Sequence, residues 1–124
     1  MELIEASAFT LRISEYLDDV EYQSLQNALV GNPDLGDLMA GTGGFRKVRW
    51  ADARRGKGTR GGLRIIYYHF LSDHQIWLLM VYDKDEAAGL TPAQKKKLKA
   101  ALGVELEARA KKRTARKPRR EGAG

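Results

Sequence analysis

At 124 residues, 43% hydrophobic and 8% aromatic, the chain suffices for one compact domain, falls short of two, and holds enough apolar surface to bury a core. It contains no cysteine, which excludes disulfides, thiolate metal sites and cysteine nucleophiles and leaves a cytoplasmic setting as the default. The net charge of +6 is unevenly divided: residues 1–45 hold one basic against eight acidic side chains, residues 46–64 eight against one, residues 65–108 five against six, and residues 109–124 eight against one.

The β-prone residues Leu3, Ile4, Phe9 and Leu11 predict a first edge strand within residues 2–12. From Arg12 to Leu29 the apolar residues Ile13, Tyr16, Leu17, Val20, Leu25 and Leu29 recur at three- and four-residue steps, giving one buried stripe on helical structure. Gly31, Asn32 and Pro33 stop it, and Gly36, Gly41, Gly43 and Gly44 predict a loop over residues 34–44.

A strand follows at Phe45–Trp50, where alternation puts Arg46, Val48 and Trp50 on one face and Phe45, Lys47 and Arg49 on the other. If Val48 and Trp50 face the core, Lys47 and Arg49 point outward together. Residues 51–62, with Arg54, Arg55, Lys57, Arg60 and four glycines, read as a flexible cationic hairpin loop. Leu63–Leu71 and Gln75–Tyr82, joined by the polar turn Ser72, Asp73, His74, read as an antiparallel pair.

Thr91, Pro92, Ala93 and Gln94 form a capping-box signature that starts a last helix, on which Leu98, Leu102 and Leu106 make a narrow docking stripe. After about Arg109 the apolar periodicity ends, so the chain divides into a domain over residues 1–108 and a basic, flexible tail over residues 109–124. No run approaches the roughly 20 apolar residues of a membrane span, and the N-terminus lacks the basic start of a signal peptide.

Two separate basic concentrations attract polyanions, nucleic acid above all. His69 and His74 have no second acid at ligand spacing, so no metal site is expected. His69 shares a strand face with Leu63, Ile65 and Tyr67 and reads as a packed residue, while the glycines at 56, 58, 61 and 62 lack the Gly-Lys-Ser/Thr ending of a phosphate-binding loop. A solvated hairpin with charges for solubility would explain the basic loop equally well. What favours function is convergence: Lys47 and Arg49 on one strand, Arg64 opening the next, and Tyr82 with Lys84 ending a third. Aligning cations on neighbouring strands costs self-repulsion that a phosphate relieves. Tyr68 shares the Arg64 face and is placed to stack on an unpaired base, or is an ordinary strand tyrosine.

The segments G-T-G-G-F-R-K-V-R-W, R-G-G-L-R-I-I-Y-Y, L-L-M-V-Y-D-K-D-E and L-T-P-A-Q-K-K-K-L closely resemble the RelE/ParE superfamily of toxins, particularly its HigB-like branch, over residues 1 to about 103. The resemblance implies an α+β, RelE-like fold: a small, antiparallel-rich twisted sheet with two N-terminal helices and a C-terminal helix. It implies a ribosome-dependent, metal-independent mRNA endonuclease without cofactor, acting in the cytoplasm on ribosome-bound mRNA and neutralised by a cognate antitoxin, expected to be a helix-turn-helix protein. Carried residue by residue, the family's basic strand positions fall on Lys47 and Arg49, its strand-opening arginine on Arg64 and the basic residue after the last central strand on Lys84. The family's tyrosine in the closing helix has no counterpart, since Leu90 stands in its place; Tyr82 is the candidate substitute. Lys57, Arg60 and Arg46, with Tyr68, are then expected to bind RNA around the catalytic group. A gyrase-poisoning relative and a non-catalytic RNA-binding module remain the alternatives.

Overall fold

The computed structural model describes residues 1–52, 62–86 and 89–116. Five strands form one mixed sheet in the order β1-β5-β4-β3-β2: β1 Glu2–Glu5, β2 Asp37–Leu38, β3 Arg46–Trp50, β4 Leu63–Phe70 and β5 Gln75–Asp83. Neighbours pair antiparallel except β1, which runs parallel to β5. Among the described residues three α-helices complete an α+β fold: α1 Ser7–Tyr16, α2 Asp19–Gly31 and α3 Pro92–Arg116. Among the described residues no helix is long and apolar enough to cross a membrane.

Strand alternation explains the two-sided core. Leu63, Ile65 and Tyr67 of β4 point to one face, where they meet Phe9, Ile13, Leu25 and Leu29 of α1 and α2. Ile66 and Phe70 point to the other, where they meet Phe45, Tyr82 and Leu102. The long pairing of β4 with β5 is interrupted once: Ile66 is opposite Met80 and Tyr67 opposite Leu78, so Leu79 is the extra residue of a bulge. The expected antiparallel pair is therefore present.

Two boundaries differ from the sequence reading. The chain turns helical at Ser7, so Phe9 and Leu11 lie on α1 instead of continuing the edge strand. Phe9 and Ile13, four apart, are buried, whereas Leu11 is 77% exposed. The helical stretch is also broken at Leu17, where Asp18 starts α2 with a capping box: its Oδ1 accepts from the Glu21 amide at 2.8 Å while Glu21 Oε1 accepts from the Asp18 amide at 2.9 Å. Val20 falls outside the buried stripe.

The last helix starts as read, Thr91 and Gln94 exchanging the reciprocal cap bonds. It does not stop near residue 108. α3 continues to Arg116, so the segment read as a flexible tail is helical over its first eight residues, while residues 117–124 lie outside the described part. Polar clamps hold the extension where the leucine stripe ends. The Arg109 guanidinium lies 3.7 Å from the Phe70 ring centroid and donates to Asp73 at 2.9 Å and to Gln75 at 2.5 Å. Arg113 adds a second contact to Asp73 at 3.2 Å.

Tyr67 ties β4 to the glycine-rich segment. Its buried hydroxyl donates to the Pro33 carbonyl at 2.7 Å and accepts from the Gly36 amide at 2.9 Å. Tyr67→Phe strands both groups and is expected to destabilise the fold by about 1–3 kcal/mol in urea unfolding. Hydrogen bonds from Arg109 and then Arg113 hold the Asp73 carboxyl below 3.8. A carboxylate held low in the folded state stabilises above its unfolded value and loses that contribution as pH falls through the folded one. Thermal melts should thus show the α3 clamp weakening under acid, and Asp73→Asn should flatten that limb of the profile.

Candidate nucleic-acid interface

The sheet register sets three of the candidate residues in one row. Arg49 of β3 is opposite Arg64 of β4, which is opposite Tyr82 of β5. Directly opposed side chains of antiparallel strands have Cβ atoms about 4.5–5.5 Å apart. The row lies on the α3 face of the sheet, because Ile66 and Tyr82 share the core beneath α3. Lys47, two residues before Arg49, is on the same face and opposite Ile66.

The row is open at one end and closed at the other. Arg49 is exposed and Lys47 and Arg64 half-buried, whereas Tyr82 is buried. The Arg64 guanidinium donates to the carbonyls of Gly62 at 3.2 Å and Leu63 at 3.3 Å, which anchors it at the strand start. Over Tyr82 passes the backbone of Gly89, at φ 85°, where a Cβ would stand 2.8 Å from the phenol oxygen. Burial raises the Tyr82 phenol above its usual 10.0 despite the opposing pull of Arg64. At neutral pH the phenol is therefore protonated and can donate a hydrogen bond.

Ion pairing sorts the cations. Among the described residues, Lys47 and Arg49 have no carboxylate within salt-bridge distance, in contrast to Arg46, which pairs with Asp34 at 3.5 Å. Arg46 lies on the opposite face with Val48 and Trp50, and its guanidinium donates to the Gly36 carbonyl at 2.7 Å. These contacts strap β3 to the Pro33–Gly36 segment and set Arg46 apart from Lys47 and Arg49, which it was expected to join in binding RNA. Tyr68 does share the Arg64 face. Its ring centroid sits 5.4 Å from that of Phe45 and 4.6 Å from that of Phe70 with Gly44 against it, so this half-buried tyrosine belongs to the aromatic core margin. Lys84 is exposed in the turn after β5, beside Asp83, Asp85 and Glu86. Lys57 and Arg60 lie outside the described residues. His69 points to the α1–α2 face, opposite Ile76.

The sequence reading overlooked two lysines on α3. Lys99 flanks Gly43, its Cγ 3.3 Å from where a Cβ there would lie, so this side of α3 borders the segment that leads into β3. Lys95 is one turn earlier on the same flank. Neither has an acidic partner among the described residues. The first turn of α3 contains no acidic residue, so positive charge near this helix start opposes the macrodipole uncompensated. The lysine run at 95–97 was visible, but which side of α3 meets β3 is set by the docking of Leu102.

Lys47, Arg49 and Arg64 share one face of the sheet, and Lys99 lies on the flank of α3 that borders Gly43; positive charge concentrated in this way suits a phosphodiester backbone. Among the described residues no three histidines or carboxylates converge to hold a metal ion. No family model matches the chain.

Gly89→Ala adds a Cβ at positive φ against Tyr82 and should cost about 1–3 kcal/mol in urea unfolding. Gly103→Ala, in mid-helix with open space around it, should stabilise by roughly 0.5–1 kcal/mol.

Proposed function

We propose that this chain is a metal-independent endoribonuclease of the RelE type, cutting mRNA on the ribosome as the toxin of a toxin–antitoxin pair. The observation that carries the reading is the Arg49–Arg64–Tyr82 row, with Lys47 beside it. Cations brought side by side from neighbouring strands can hold one phosphodiester group by charge and hydrogen bonds together. The order of strands and helices, with two helices after the first strand and one closing the chain, supports a RelE-like fold on the same terms.

In this mechanism the RNA 2′-oxygen attacks the adjacent phosphorus and the bond to the 5′-oxygen breaks, giving a cyclic phosphate and a free 5′-hydroxyl. Arg64 and Arg49 stabilise the charge that develops on the phosphorane oxygens. Lys84 assists the departing 5′-oxygen, which gains a proton, while Lys47 orients the attacking hydroxyl, whose proton leaves to solvent. Tyr82, protonated, steadies Arg64 from the covered end of the row. A cognate antitoxin, expected to be a helix-turn-helix protein, would hold the toxin silent in the cytoplasm.

The protonated state of Tyr82 also favours a second reading, a non-catalytic RNA-binding module, because binding needs charge and no base. Primer extension on programmed ribosomes separates them. The endonuclease gives codon-phased cleavage ends, slowed about 100- to 1000-fold by Arg64→Ala and restored in part by Arg64→Lys, in protein whose melting temperature is checked. Tight RNA binding without new ends would establish the module and overturn the nuclease.

A further inference from the structure

The strand β2 covers only Lys47 and Arg46 of its neighbour. Beyond that point the free edge of β3 borders a cavity of 580 Å³ lined by Leu35, Asp37 and every residue from Lys47 to Ala51. That volume lies within the roughly 300–1,000 Å³ of small-ligand sites. Its chemistry is unlike that of the row. Lys47 and Arg49 reach it from the α3 side, Trp50 and Leu35 supply an apolar flank, and Asp37 is the carboxylate, opposite Lys47 in the register.

We infer that this cavity is a subsite for one unstacked nucleotide of single-stranded RNA, with guanine the preferred base. The inference rests on the RNA reading above and adds the base that the site selects. Charge complementarity sets the phosphates on Lys47 and Arg49, neither of which is engaged by a carboxylate among the described residues. The base then lies against Trp50 and Leu35, since single-stranded RNA is commonly recognised by splayed bases held against aromatic side chains. An ionised carboxylate only accepts hydrogen bonds. Guanine turns two adjacent donors, N1–H and the N2 amino group, toward such an acceptor, whereas the Watson–Crick edge of uracil offers a single donor between two carbonyls. Asp37 is thus a specificity-determining residue. It is exposed and forms no ion pair among the described residues, with Lys47 its cross-strand neighbour.

Fluorescence anisotropy with the full chain and the labelled pentaribonucleotides UUGUU, UUIUU and UUUUU tests this. The guanine oligomer is expected to bind about tenfold tighter than the all-uracil one, in line with a bidentate base contact. Inosine, lacking the N2 amino group, should fall between them. Asp37→Asn should bring the guanine oligomer down to the uracil level, and Trp50→Phe should weaken all three several-fold without unfolding the protein. Arg49→Ala should weaken all three uniformly and lower the slope of log affinity against log salt by about 0.7. Binding without base preference, or a guanine preference untouched in Asp37→Asn, overturns the subsite while leaving the RNA reading intact. Failure of all three oligomers to bind, with Arg49→Ala indistinguishable from the parent chain, overturns both.

Discussion

The two-sided burial of β4 is the constraint from which the rest of the molecule follows. Its side chains alternate between the α1–α2 layer and the α3 layer, so neither face can be surrendered to water without losing half of a small core. Layers that cover β4 do not automatically cover its neighbours. α3 reaches the sheet through Leu98 and Leu102 and crosses toward Asp73 and Gln75, which leaves the far half of β3 on that face uncovered. The cations of β3 stand where the hydrophobic layer gives out, and they can be exposed there at no expense to the core.

This division of labour also explains why the positive charges are not equivalent. Arg46, Arg109 and Arg113 each have carboxylate or carbonyl partners and act as struts between elements. Lys47, Arg49, Lys95 and Lys99 form no ion pair among the described residues. A net charge of +6 hides this distinction, since it counts paired and unpaired cations alike. Exposed ion pairs contribute little to stability, but Arg109, stacked on Phe70 and 19% exposed in its side chain, does for α3 what a further leucine would do elsewhere.

The central hairpin was legible in the sequence because β-branched and aromatic runs with a polar turn between them admit few other arrangements, and the capping box at Thr91 marked its helix to the residue. The face shared by Lys47 and Arg49 followed from alternation alone. What escaped detection has a common cause: it depends on partners distant in sequence. Nothing local distinguishes Arg46 from Arg49, and only the approach of Gly36 and Asp34 turns the former into a strap. Nothing local shows that Arg109 meets Phe70, so a helix without an apolar stripe looked like a tail. Asp37 lay in a glycine-rich stretch whose brief pairing with β3 no periodicity announces, and Tyr68 is drawn to the core margin by Phe45 and Phe70.

The bulge at Leu79 decides what the arginines see. Had the β4–β5 ladder run straight on from Leu78, Val81 would face Arg64, and Tyr82 would be turned toward the α1–α2 helices. One unpaired residue in mid-strand resets the odd and even sides of everything after it. The composition of the cationic row is in this sense a matter of phase: Ile76 and Leu78 meet the α1–α2 layer before the bulge and Val81 after it, so the parity of β5 changes and a single supernumerary amide keeps both halves in step.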